Sequence, residues 1–199
     1  GGNFDHFTQA PIEAVPDDAN GYEFKDWTGD GVASTTSATS TVDMVMERSV
    51  TANFKLKDYT LSVTSGSGGT AESLDASYPT YQHGTTATIE ATPDSIHDFD
   101  VWIGGTVGDT ASASTSVGMF GDVSVTATFK LKQYLLAVQA SSPQGAGVGG
   151  SVLGGGTFEH YTQASVQALP DTASGYEFDY WSGQNVVDTA INPTTVDMI

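Results

Sequence analysis

The stretch GYEFKDWTG at residues 21–29 returns as GYEFDYWSG at residues 175–183, with six of the nine positions identical. When residue 1 is placed over residue 155, residues 1–45 align with residues 155–199 without a gap. About half of these aligned positions are identical. An internal match of this length indicates a repeated structural unit, so the repeat decides the fold before any local pattern does.

A more divergent copy lies between these two segments. Trp102 follows Trp27 by 75 positions and precedes Trp181 by 79, so the repeat is about 75–79 residues long. We therefore predict a partial repeat at 1–57 without its first strands, a complete repeat at 58–132, and a partial repeat at 133–199 without its last strand. Two explanations of the partial repeats stay open: the sequence is a window on a longer chain, or neighbouring subunits complete them.

Local patterns within the repeat indicate short strands. YTLSVTS (59–65) and TTATIEAT (85–92) alternate apolar and polar residues, as half-buried strands do. Phe24 and Trp27 are three residues apart, which breaks this alternation, and a β-bulge between them would let both rings face the core. We predict a mainly β protein made of tandem small modules that are β-grasp-like or β-sandwich-like.

The junctions between repeats have almost no linker. Apolar residues fall on even positions up to Leu56 and on odd positions from Tyr59 onward, so one strand ends where the next begins. The second junction, around Leu131 and Tyr134, shows the same change of parity. Modules joined this tightly are expected to form a semi-rigid rod. Four of the six basic residues lie at these junctions, where we expect them to neutralise acidic neighbours: Lys55, Lys57, Lys130 and Lys132.

Composition excludes several classes of partner. The chain carries 24 acidic and 6 basic residues, for a net charge of −18. This charge repels nucleic acid and anionic lipid. No segment is long and apolar enough to span a membrane, and the absence of cysteine leaves core packing or bound ions to supply stability.

The aromatic residues are the first candidate site. Each repeat has one Phe–Trp pair at the same spacing, which favours a structural aromatic core made of Phe24, Trp27, Phe99, Trp102, Phe178 and Trp181. Tyr22 and Tyr176 are the candidates for exposed aromatics. The alternative interpretation is a sugar-stacking platform, which would require a coplanar pair of exposed tryptophans.

Polar residues are the second group of candidates for a functional site. His6, His83 and His160 occupy one equivalent position, one per repeat, which is typical of a turn or packing residue rather than of a shared metal site. Six aspartates in loops could attract calcium, although the pattern of a calcium-binding loop is absent: Asp17, Asp18, Asp30, Asp94, Asp98 and Asp100. No nucleophile motif occurs, so we predict no catalytic, cofactor-binding or metal residues.

Four segments of the repeat together resemble the divergent InlB B-repeat, of the Listeria–Bacteroides repeat group. They are the YxLxV strand, the Gly-rich turn, the GYEFxxWxG segment and the closing VTAxF strand. The middle repeat departs from this pattern, with HDFDVWIGG in place of GYEFxxWxG. The resemblance implies small β-rich modules strung along large exported proteins, without catalytic residues or a cofactor.

These observations predict a structural or adhesive segment of an exported tandem-repeat surface protein, acting as a stalk, fibre or filament at the cell surface or outside the cell. Its partners would be neighbouring repeats or copies of the same protein, or surface glycans and host or cell-surface proteins. The first alternative is a carbohydrate- or ligand-binding adhesin module. The second is a spacer attached to a secreted enzyme.

Overall fold

A computed structural model describes residues 2–199 of the chain. Strands account for 52% of the residues and helix for 3%, which confirms the mainly β prediction. The helical segments among the described residues are two short 3-10 turns, Asp18–Asn20 and Thr172–Ser174.

The first repeat forms two small antiparallel sheets. Its strands are β1 (Thr8–Glu13), β2 (Tyr22–Thr28), β3 (Thr39–Met44) and β4 (Thr51–Leu56). Strand β1 pairs with β3, and β2 pairs with β4. The β2–β4 register shifts between Phe24 and Asp26, which confirms the predicted bulge. As a result the Phe24 and Trp27 rings pack together, with 5.7 Å between their centroids.

The middle repeat contains the full set of strands. They are β5 (Asp58–Ser65), β6 (Gly69–Ser73), β7 (Thr80–Gln82), β8 (Thr85–Pro93), β9 (His97–Ile103), β10 (Ser114–Met119) and β11 (Val123–Leu131). Three strands form one sheet in the order β10-β8-β6, and four form a second sheet in the order β7-β5-β11-β9. The β5–β11 pairing is parallel, so the first and last strands of the repeat lie side by side.

Both sheets of the middle repeat contribute to its core. Its buried side chains alternate along the strands, as expected for sheets with one buried face. The three-stranded sheet buries Ala87, Ile89, Ala91, Val117 and Met119. The four-stranded sheet buries Leu61, Tyr81, Trp102, Val125 and Ala127.

The third repeat follows the same plan up to the end of the sequence given. Its strands are β12 (Gln133–Leu136), β13 (Ser141–Ser142), β14 (Gly145–Ala146), β15 (Gly150–Leu153), β16 (Gly156–Glu159), β17 (Gln163–Pro170) and β18 (Thr194–Asp197). Strands β15, β17 and β18 form a sheet, β12 pairs with β16, and β13 with β14. The buried cluster of this repeat comprises Ala164, Val166, Trp181, Val196 and Met198.

Internal contacts group the chain into two compact units that do not coincide with the repeats. The first unit comprises residues 1–65, 71–91 and 101–127, and the second comprises residues 66–70, 92–100 and 128–199. The division falls within the middle repeat. Each junction between repeats therefore lies inside one unit and can be described there.

Candidate functional site

The three tryptophans are buried. Trp27, Trp102 and Trp181 are 7%, 2% and 9% exposed. The indole N–H of Trp27 donates to the carbonyl of Ser37 at 2.9 Å, and that of Trp102 donates to the carbonyl of Ser112 at 3.1 Å. A buried indole has no free face for a sugar ring, so the tryptophans do not form the stacking platform of the alternative interpretation.

The phenylalanines of the same motif are half-buried. Phe24 meets Phe54 of β4 edge to face with 6.3 Å between centroids, and Phe99 meets Phe129 of β11 in the same way at 6.2 Å. Phe178 lies 5.6 Å from Trp181. The closing strand of each of the first two repeats therefore supplies an aromatic partner to the motif.

The third copy of the motif has a different environment. Residues 176–182 form no strand, although the same stretch in the first repeat is β2. They line a cavity of about 490 Å³ together with residues 139–143 and 148–152. In the middle repeat the equivalent stretch belongs to β9, which lies next to the closing strand β11, and the sequence given ends before the equivalent of that closing strand. The indole N–H of Trp181 has no partner among the described residues.

The two candidate exposed tyrosines differ from each other. Tyr22 is 41% exposed, as expected. Tyr176 is half-buried, because its ring lies against Gly149 and its hydroxyl group donates to Oε1 of Gln144 at 3.0 Å. The expectation that Tyr176 is exposed therefore needs correction.

Both junctions are built around a single lysine. One residue, Lys57, separates β4 from β5, and one residue, Lys132, separates β11 from β12. The Lys57 N–H donates to the carbonyl of Gly21 in the preceding repeat at 2.8 Å. The Lys57 carbonyl accepts from the N–H of His83 in the following repeat, also at 2.8 Å. Each lysine backbone thus holds a turn on either side of the junction.

The second junction repeats this arrangement with different residues. The Lys132 N–H donates to the carbonyl of Ile96 at 3.0 Å, and the Lys132 carbonyl accepts from the N–H of His160 at 2.8 Å. Ile96 aligns with Gly21, and His160 aligns with His83. The hydrogen-bonding pattern is therefore a property of the junction and not of one local sequence.

The junction lysines also meet acidic or carbonyl oxygens through their side chains. Lys57 Nζ lies 2.7 Å from Oδ1 of Asp18, and Lys55 Nζ lies 2.9 Å from Oε1 of Glu23. The hydrogen bond to each carboxylate raises the pKa of the lysine above its usual range. Lys130 pairs with Asp100 at 3.3 Å, and Lys132 donates to the carbonyl of Ser95 at 2.7 Å. Three of the four lysines thus neutralise acidic neighbours, as predicted.

The histidines lie where the repeats meet. The His83 imidazole packs directly on Gly21, where a Cβ atom would overlap the ring, and it also contacts Tyr59 at 5.8 Å between centroids. His160, 7% exposed, contacts Tyr134 of β12 at 5.7 Å. Among residues 2–199, no three His, Asp or Glu side chains are grouped closely enough to hold a metal ion. His83 and His160 pack at the two junctions, whereas the His6 ring lies against Phe7 and His97 bonds to Asp94.

Three carboxylates with lowered pKa values are engaged in local structure. Asp94 accepts hydrogen bonds from the His97 ring at 2.7 Å and from the backbone of Ile96 and His97, and these bonds lower its pKa. Backbone and hydroxyl donors of Thr60 lower the pKa of Asp122 in the same way, and donors of Ser174 lower that of Asp171. These groups stabilise turns and strand ends.

One pair of residues was missed by the sequence analysis. Phe7 is 80% exposed and Tyr161 is 68% exposed, and both have a backbone φ of +66°. The signal was present in the alignment, where His-Phe-Thr and His-Tyr-Thr in the outer repeats match His-Gly-Thr in the middle repeat. A position that accepts glycine in one copy and an aromatic residue in two others indicates an unusual turn.

The fold and its junctions define a tandem array of small all-β modules. The chain belongs to the divergent InlB B-repeat domain family, whose model matches residues 1–58, 59–133 and 144–199. This family is found in surface proteins. No match was found among curated proteins or among solved structures. Within the described residues, no helix has the length and hydropathy needed to cross a membrane.

Proposed function

We propose that this chain is a structural segment of an exported surface protein, in which tandem modules form a stalk, fibre or filament outside the cell. The observation that carries the proposal is the one-residue junction, found twice, with a backbone hydrogen bond on each side. The single residue of each joint is hydrogen-bonded through its backbone to a turn on both sides, so the joint allows little relative motion of successive modules. Such a joint suits a load-bearing or spacing role.

The proposal includes a non-catalytic role, and the chemistry of the polar groups supports it. The carboxylates whose pKa values depart from their usual range bind backbone or hydroxyl donors of nearby turns and strands. Perturbed groups at catalytic sites instead converge on a cleft, where they meet a substrate. The partners we propose are neighbouring repeats and further copies of the chain.

A spacer insertion tests the structural role. A flexible Gly/Ser segment between Lys57 and Asp58 would separate the two hydrogen bonds of the junction. We expect a broader distribution of interatomic distances in small-angle scattering. The matched control places the same spacer between Met46 and Glu47, two exposed residues in a loop of the first repeat. If the two insertions give the same distribution, the one-residue junction does not restrict its neighbours and the proposal is wrong.

A ligand-binding adhesin module is the second candidate. It is favoured by the two exposed aromatic residues in strained turns, which the structural role does not explain.

A further inference from the structure

Two turns in the outer repeats place an aromatic side chain where glycine is expected. In the turn Asp5–Thr8 the N–H of Thr8 donates to the carbonyl of Asp5 at 3.2 Å, and in the turn Glu159–Thr162 the equivalent distance is also 3.2 Å. The third residue of each turn, Phe7 or Tyr161, has a φ of +66°. L-residues avoid this left-handed region, which turns of this kind normally fill with glycine or asparagine. We call these two segments the aromatic turns.

The middle repeat shows that the turn does not need an aromatic residue. Its equivalent segment, Gln82–Thr85, has Gly84 at the third position with a φ of +78°. A Cβ atom at Gly84 would have no neighbour within 4 Å. The position therefore faces open space in a repeat that has chain on both sides, and the openness is not produced by the ends of the sequence.

Among residues 2–199, each of the two aromatic rings packs on the ring of the histidine that precedes it. Phe7 lies on the His6 ring with 3.9 Å between centroids, and Tyr161 lies on the His160 ring at 4.0 Å. Most of each aromatic side chain still faces solvent. Backbone strain and an exposed apolar ring both oppose stability, and strained residues of this kind cluster at functional sites.

A polar pair accompanies each aromatic turn. Two residues after Phe7, Gln9 Nε2 donates to Oδ1 of Asp43 across the β1–β3 pair at 3.2 Å. The same pair, Gln163 and Asp197, follows Tyr161 with a distance of 2.8 Å.

The middle repeat lacks this pair as well as the ring. Thr86 and Gly118 face each other at the equivalent positions of β8 and β10. The turn aromatic and the amide–carboxylate pair therefore occur together in the outer repeats. The middle repeat has neither, and instead places Phe120, which is 62% exposed, against the His83 ring with 5.4 Å between centroids.

We propose that the aromatic turns of the first and third repeats bind a neutral sugar. The apolar face of a pyranose ring would stack on Phe7 or Tyr161, as amphipathic ligands stack on exposed rings. The adjacent amide and carboxylate would hydrogen-bond the sugar hydroxyl groups, the small set of placed polar groups that fixes a ligand's orientation. The net charge of −18 disfavours anionic glycans. This binding function is separate from the structural role and does not depend on it.

The test uses the whole chain with both aromatic residues replaced, Phe7→Gly and Tyr161→Gly. Binding is measured on an array of neutral and acidic oligosaccharides, and thermal unfolding is measured in parallel. We expect the native chain to bind neutral oligosaccharides, and the double variant to lose at least about tenfold in apparent affinity. Because glycine suits the left-handed backbone, we expect the unfolding midpoint to stay unchanged or rise.

The middle repeat supplies a gain-of-function control. Gly84→Tyr adds the ring without the amide–carboxylate pair, so it should add little binding. Adding Thr86→Gln, Gly118→Asp and Phe120→Val to that variant should add a third site. The last change is needed because a Cβ atom at Gly118 would lie 3.0 Å from the Phe120 ring, and the first repeat has Val45 at the equivalent position.

Three outcomes would overturn the proposal. The first is that no neutral oligosaccharide binds the native chain more strongly than the double variant. The second is preferential binding of acidic oligosaccharides. The third is a clear fall in the unfolding midpoint of the double variant with unchanged binding, which would assign the rings to covering His6 and His160.

Discussion

Residues 21–29 and 175–183 share a motif of nearly the same sequence but differ in structure. In the first repeat the motif contains β2, which pairs with β4 over its whole length. In the third repeat the same motif forms no strand, and its residues line a cavity. Both copies are preceded by a 3-10 turn that is capped by an aspartate side chain, Asp17 or Asp171. Each turn ends at the first glycine of the motif, which is in the left-handed conformation. The local turn is therefore preserved while the strand is not.

The difference shows which features of the motif are local and which depend on a partner. The capped turn and the packing of Phe178 on Trp181 form without a closing strand. A β-strand does not form at this motif without a closing strand, because a strand needs a neighbour that accepts and donates its backbone hydrogen bonds. The aromatic motif supplies one side of a pairing, and the closing VTAxF strand supplies the other.

The largest expected effect comes from removing the buried indole where the ladder is complete. Trp27→Ala should lower the free energy of unfolding by about 3–5 kcal/mol, the usual cost of truncating a large core residue. Trp181→Ala should cost less, because Trp181 borders a cavity and its N–H has no hydrogen bond to lose among the described residues. Chemical denaturation of both variants measures the difference. Equal losses would show that the closing strand adds nothing to the packing of the tryptophan.

A smaller effect is expected from supplying the missing partner. Ile199 aligns with Val45, so a copy of residues 46–57 placed after Ile199 would reproduce the closing strand of the first repeat. We expect residues 176–182 to become a strand with slower amide exchange. The stabilisation should be roughly 0.2–1 kcal/mol for each cross-strand pair. A scrambled copy of the same twelve residues is the control. If both added sequences slow amide exchange at residues 176–182 equally, the added segment does not act by pairing in a specific register.

The smallest effect concerns the glycine that ends the capped turn in each copy. Gly21 and Gly175 have φ values of +74° and +84°, so an alanine at either position costs roughly 1–2 kcal/mol in backbone strain. Only Gly21 lies beneath the ring of a junction histidine, His83, whereas a Cβ atom at Gly175 would meet nothing within 4 Å.

Gly21→Ala should therefore destabilise the chain by about 1 kcal/mol more than Gly175→Ala, since overpacking adds to the shared strain. Thermal unfolding of the two single variants measures this difference. If both variants lose the same stability, the His83 ring moves aside freely and does not brace the junction.

The sequence predicted the parts of the fold that depend on repetition and alternation. The bulge between Phe24 and Trp27 followed from their spacing, and the short joints followed from the change of parity after Leu56. The absence of a strand at 176–182 was not predicted, because the motif itself carries the residues of a strand, and pairing depends on a closing segment beyond the end of the sequence given. The half-buried state of Tyr176 depends on Gln144, in the loop between β13 and β14, which has no counterpart in the repeat pattern.

The aromatic turns were missed for a different reason. Periodicity identifies side chains that face the core, whereas Phe7 and Tyr161 are distinguished by backbone conformation and by exposure. Only the comparison with Gly84 in the middle copy reveals that the position is conformationally special. Repeats of one chain thus act as internal controls for one another.

The single lysine between modules also limits how such an array can change in length. A whole repeat inserted at the joint brings its own lysine, whose N–H and carbonyl can bond to the same two turns. One extra residue at the joint would displace either the bond to the preceding turn or the bond to the following one, because one lysine supplies both. Both bonds are therefore kept when complete modules are gained or lost, whereas a smaller insertion gives up at least one of them and loosens the joint.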